Sequence, residues 1–158
     1  MLKHMRIGVK LGLGFTLVVV LALALGAIAF KQASTVSSLW HNFETVTLEK
    51  QHTITTAYLN FGNAVHYFKN YVLRGGEYDK QFLSAIEALD QIASAYQTIG
   101  SILPEEEQHL QAILEGTKTY RSAMATLVQL RTTNATISEL DKAVKGADKP
   151  IATALDKL

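Results

Sequence analysis

Three arginines and two tyrosines hold most of the binding potential in this sequence. Arg74, Arg121 and Arg131 are candidate ligand-binding residues. A guanidinium partly buried between helices is a natural carboxylate clamp, because its planar fork pairs two oxygens at once. Tyr67 and Tyr71 sit four residues apart, beside Lys69 and Arg74, and their hydroxyls are placed to reach a polar ligand. The competing readings are plain. An isolated arginine is commonly a solvated surface charge, and the stripe Tyr58, Phe61, Tyr67, Phe68, Tyr71 matches the period of a packed helix face.

The remaining polar side chains point away from catalysis. His41, His52, His66 and His109 suggest a haem or metal carrier, yet no two of them show the three- or four-residue spacing of a helical ligand pair. Glu105, Glu106 and Glu107 are consecutive, so on a helix they point in different directions, and a helix start accounts for them. Ser, His and Asp occur without a nucleophile-elbow signature. The absence of cysteine rules out a disulfide, a thiolate metal site and covalent haem attachment. Neither an enzyme, a cofactor nor a metal site is expected.

The elements that must position these residues begin with a membrane span. From Leu11 to Phe30 there is no charge, and Leu, Val, Ala, Phe and Gly fill nearly every position. About 20 such residues cross the hydrocarbon core of a bilayer. Lys3, Arg6 and Lys10 precede the run and only Lys31 follows closely, so the positive-inside rule assigns residues 1–10 to the cytoplasm. Ala27-Ile28-Ala29 resembles a signal-peptide cleavage site, but the apolar run is longer than an ordinary signal core, which favours an uncleaved anchor in the inner membrane. Without those three basic residues the chain has 12 basic against 14 acidic residues, so residues 31–158 carry a formal charge of −2. A nucleic-acid partner is not expected.

The rest, residues 31–158, reads as an extracytoplasmic domain of four helices at about 31–73, 77–99, 104–131 and 136–158. The first carries Ile54, Tyr58, Phe61, Val65, Phe68 and Val72 in four-three spacing, meets no breaker back to the span, and stops at Gly75-Gly76. The second carries Tyr78, Phe82, Ala85, Leu89, Ile92, Tyr96 and Ile99, and Gly100 ends it. Pro104 followed by three glutamates starts the third, with Leu110, Ile113, Thr117, Tyr120, Met124 and Leu127 inward. Thr136 and Glu139 form a capping box for the fourth, where Gly146 and Pro150 predict a kink or short break. The fold class is therefore all-α: an N-terminal transmembrane helix continuing into an up-down antiparallel four-helix bundle. At 1.5 Å per residue the first helix is about 63 Å long and the fourth about 36 Å, so the fourth is expected to stop short of the membrane, at a fragment boundary.

Two segments carry a family resemblance. Ile7-x-x-Lys10-Leu11-x-x-Gly14-Phe15 looks like the start of many bacterial methyl-accepting chemotaxis proteins. Tyr71-Val72-Leu73-Arg74-Gly75-Gly76-Glu77-Tyr78 resembles the turn joining the first two helices of their four-helix-bundle ligand-binding domains, with Gly76 where an aspartate is common and Tyr78 slightly early. Sensor domains of histidine kinases use nearly the same turn. The resemblance implies a periplasmic sensing module that works as a homodimer and passes ligand occupancy to a cytoplasmic kinase-control module. The family's amino-acid receptors place arginines along the first helix, whereas none precedes Arg74 here within that helix.

The expected partners are a second copy, the lipid bilayer, and either a small molecule, such as a carboxylate, or a ligand-loaded periplasmic binding protein. Trp40 and Phe43 are the expected dimer contacts, since the first helix outruns its bundle partners there. The reading from another class is a membrane-tethered periplasmic adaptor or chaperone bundle with no small-molecule site.

Overall fold

The computed structural model describes residues 6–158 and is all-α, with no strand among the described residues. Lys3, part of the basic N-terminal segment, lies outside them. The chain divides into two compact units, one up to Glu44 and one from Thr45 to Leu158.

The first unit consists of α1 (Ile7–Asn42) and the beginning of a π-helical segment (Phe43–Leu48). Helix α1 has no buried residue, although its apolar run includes Leu11 at 76% exposure and Leu23 at 69%. An apolar face this complete has only lipid or another protein to cover it. The one side-chain hydroxyl of the apolar run 11–30, Thr16 Oγ1, donates to the carbonyl of Gly12 at 2.9 Å, so that run carries no unpaired side-chain donor. At 36 residues α1 is about 54 Å long, more than the hydrocarbon core requires. The helix expected to run evenly to residue 73 instead passes through the π-helical turns of Phe43–Leu48, where no proline or glycine signals a change.

The second unit contains α2 (Glu49–Arg74), α3 (Tyr78–Tyr96), α4 (Pro104–Thr132), α5 (Ile137–Ala143) and α6 (Lys149–Leu155). Helix α2 ends where Gly75 and Gly76 take φ of +69° and +71°. Left-handed φ costs glycine nothing and strains any residue with a Cβ. Helix α4 begins with Pro104 in its first turn and with Glu106 accepting the Leu103 N–H at 2.8 Å. At α5 the Thr136 N–H donates to Glu139 Oε2 at 2.8 Å, and Thr136 Oγ1 accepts the Glu139 N–H at 3.3 Å.

Phe68 of α2, Phe82 of α3 and Tyr120 of α4 meet at the centre, with ring centroids 5.4, 4.5 and 4.9 Å apart. Each is at most 5% exposed, and pairs in this range are worth about 0.5–1.5 kcal/mol beyond the area they bury. Small residues set the approach of the helices. Ala57 and Ala64 are buried on α2, whereas Tyr58 is 40% exposed and Ile54, Phe61 and Val65 only partly buried. Of the expected seam Phe68 and Val72 are buried, and Ala57, Ala64 and Tyr71 complete the buried face. Tyr71, which the sequence offers either to a ligand or to a packed face, is inside. On α4, a Cβ added to Gly116 would stand 2.7 Å from Ile151 Cγ1, so α6 lies against a position that only glycine fits.

The expected fourth helix over 136–158 is two seven-residue helices, with Gly146 at φ +80° in the connection and Pro150 in the first turn of α6. Proline has no N–H to extend an incoming helix, and a left-handed glycine ends one.

Candidate ligand-binding site

The expected arginine clamp is not assembled. Arg121 NH1 donates to Asp90 Oδ2 at 2.6 Å, and Thr117, fully buried, donates to Asp90 Oδ1 at 2.6 Å, which ties α3 to α4. Arg131 donates from Nε to the Tyr71 carbonyl at 3.1 Å and from NH2 to the Val72 carbonyl at 2.8 Å. Those carbonyls belong to the last turn of α2; the Tyr71 carbonyl also accepts the Gly75 N–H at 2.9 Å, and Arg131 adds a donor from another helix to both. Its guanidinium lies 5.4 Å from the Tyr71 ring centroid, and Tyr71 is 6% exposed. Tyr67 is half-buried, edge-on to His66, and Arg74 is exposed in the last turn of α2. Backbone carbonyls and a neighbouring carboxylate are the acceptors that Arg131 and Arg121 meet first.

A second polar cluster joins the other ends of these helices. Lys50 Nζ, at the start of α2, lies 2.8 and 3.0 Å from the Glu106 carboxylate oxygens and donates to the Ser101 carbonyl at 2.9 Å. Tyr96 donates to Glu106 Oε1 at 2.8 Å. Every member is matched, so this is a structural clasp. By sequence Glu106 belongs to the helix start alone; its charge is also the hub of three elements.

The open site is a groove of about 550 Å³ alongside the C-terminal half of α2. Phe68, Val72 and Leu73 give it one apolar wall, and Ile137 and Val144 give it another. The break between α5 and α6 provides the second wall, because residues 144–148 leave the helical path there. Lys69, Asp141 and Lys145 are exposed around it, and Asp148 is half-buried. Tyr120 of α4 lines the groove and is 2% exposed. Its hydroxyl has no hydrogen-bond partner among the described residues. Among the described residues no fully buried side-chain nitrogen or oxygen is left unpaired, so that oxygen opens onto the groove that Tyr120 lines. Burial, and then the nearby Asp148 carboxylate, push the Tyr120 phenol well above its ordinary value and keep it protonated. The volume falls in the range of about 300–1,000 Å³ typical of small-molecule sites.

The groove was missed from sequence for a simple reason. Tyr120 occupies a core position by periodicity, and only the path of residues 144–148 leaves its oxygen uncovered. Comparison of the chain with protein families, with curated proteins and with solved structures finds no match.

Proposed function

We propose that this chain is the signal-input part of a bacterial transmembrane receptor of the chemoreceptor kind. In this reading α1 is the anchor, its N-terminus lies in the cytoplasm and the second unit is periplasmic. The carrying observation is the contrast between the two units: α1 is apolar with nothing buried, whereas residues 45–158 fold around their own core.

The second unit then acts as an up-down antiparallel four-helix bundle, with α5 and α6 together as its fourth member. Two ties support that topology. The starts of α2 and α4 meet at Lys50 and Glu106, and their ends meet at Val72 and Arg131. Two copies associate along the first helix, with Trp40 and Phe43 in the seam; both are exposed, at 65% and 42%, with ring centroids 5.8 Å apart. The sensed molecule binds in the groove beside α2. Occupancy biases the packing of the fourth member against α2, and shifts of an ångström or two between packed helices suffice to signal.

A chimera tests the assignment. Residues 1–158 are joined to the second span and kinase-control half of a receptor of known output, at seven successive joints so that every helical phase is sampled. With a panel of amino acids, amines and small carboxylates as probes, at least one joint is expected to give ligand-dependent kinase output. Output that ignores the whole panel at every joint, with the chimeras present in the membrane, contradicts a small-molecule receptor and favours an adaptor.

A further inference from the structure

We infer that the groove between α2 and the α5–α6 connection is an amine site: it takes a small organic cation whose ammonium lies between Asp148 and the Tyr120 hydroxyl and whose apolar body lies along Phe68 and Val72. The inference deepens the receptor reading by naming the ligand class, and it rests on that reading for its purpose, though not for the binding itself.

Three observations carry it. Tyr120 is almost wholly buried yet has an unpaired hydroxyl at the groove. An oxygen so placed forgoes a hydrogen bond that water or a ligand must supply. The charges in the groove are also layered. Asp148 is half-buried and makes no ion pair among the described residues, while Lys69 and Lys145 are exposed and Asp141 stands exposed beside them. The least exposed charge in the groove is therefore a carboxylate, and a cation brought there meets a group that is already partly desolvated. Finally, the phenol oxygen accepts as well as donates, so an ammonium with three N–H groups satisfies Asp148 and Tyr120 together.

A carboxylate at the same place would face Asp148. Its attraction would come from lysines free to turn into water, where their charge is screened. The walls set the rest of the ligand. Phe68, Val72, Ile137 and Val144 offer no hydrogen bond from their side chains, so a hydrocarbon or aromatic body is favoured over a polyhydroxylated one.

The test uses the full chain in detergent with 2-phenylethylamine as probe and 3-phenylpropionate as its isosteric acid, followed by calorimetric titration. Saturable binding of the amine is expected, with no binding of the acid. Asp148→Asn should weaken the amine by about tenfold, the loss of one charge-assisted contact. Tyr120→Phe keeps the packed ring and should weaken it severalfold. Absence of saturable amine binding, equal binding of the acid, or full affinity in Asp148→Asn each overturns the assignment. Asp148 lies outside the buried core, so its variant is expected to fold, and a melting curve of the same sample verifies this. Loss of amine binding alongside a panel response in the chimera would remove the ligand class and leave the receptor reading standing.

Discussion

Lys50 and Glu106 are 56 positions apart in sequence, yet the lysine Nζ lies within 3.0 Å of both oxygens of the glutamate carboxylate. The pair joins the first turn of α2 to the first turn of α4, and Tyr96 brings in the end of α3. Side-chain exposures of 13% and 18% make this a partly desolvated pair, unlike the exposed pair Lys118–Glu115. Partial burial is what makes such a pair matter, since fully solvated ones contribute little.

The Glu106 clasp predicts an acid-sensitive step in stability. Burial pushes this carboxyl up, but the Leu103 N–H, Lys50 and the Tyr96 hydroxyl together hold it below the ordinary carboxylate value of 4.5. A depressed folded value means that the stabilisation is complete above the unfolded value and is lost as pH falls through the folded one. The melting temperature of the wild type should therefore drop more steeply below about pH 4.5 than that of Glu106→Gln. At neutral pH Glu106→Gln should cost about 1–2 kcal/mol by denaturant titration. Parallel pH profiles for the two proteins would remove Glu106 from this role.

Gly75 is held from two sides. Its φ of +69° is left-handed, and a Cβ built there would lie 2.9 Å from Arg131 NH1. Gly76 has a similar φ of +71° but open space around it. Gly75→Val should thus destabilise by about 1 kcal/mol or more from backbone strain alone, and by more again through displacement of Arg131. Gly76→Val should cost less. Equal losses in thermal melts would mean that Arg131 yields freely.

Arg121 is assigned to stability through Asp90. Arg121→Ala leaves a half-buried carboxylate with Thr117 alone, and a loss of about 1 kcal/mol is expected. A double-mutant cycle with Asp90→Asn should recover most of that as coupling between the two sites. If Arg121→Ala instead abolished a ligand response with no change in melting, the carboxylate clamp would be the better account of this side chain.

The all-α class was legible in the sequence because the helix punctuation is strong: a charge-free run over 11–30, glycines at 75 and 76, and Pro104 ahead of three glutamates. The buried face of α2 was harder to read. Periodicity weights the large residues Tyr58 and Phe61, whereas close helix packing selects Ala57 and Ala64, whose small side chains carry little hydrophobic signal. The role of the arginines is harder to read, because a guanidinium is equally suited to a ligand carboxylate and to the carbonyls at a helix end. Which one Arg131 meets depends on α4 bringing it beside Tyr71 and Val72. Gly146 and Pro150 announced an interruption, but the groove depends on the path taken by the residues between α5 and α6, and no local rule fixes that path.

In the proposed reading α1 spans a membrane, with the second unit outside the cytoplasm. Because the chain has no cysteine, single substitutions at Lys10 and Glu77 report position without background. The measurement is labelling of intact cells by a membrane-impermeant maleimide. Glu77→Cys is expected to be labelled in intact cells, and Lys10→Cys only after the membrane is permeabilised. Labelling of Lys10→Cys in intact cells with protection of Glu77→Cys, or recovery of both variants in the soluble fraction, would contradict it.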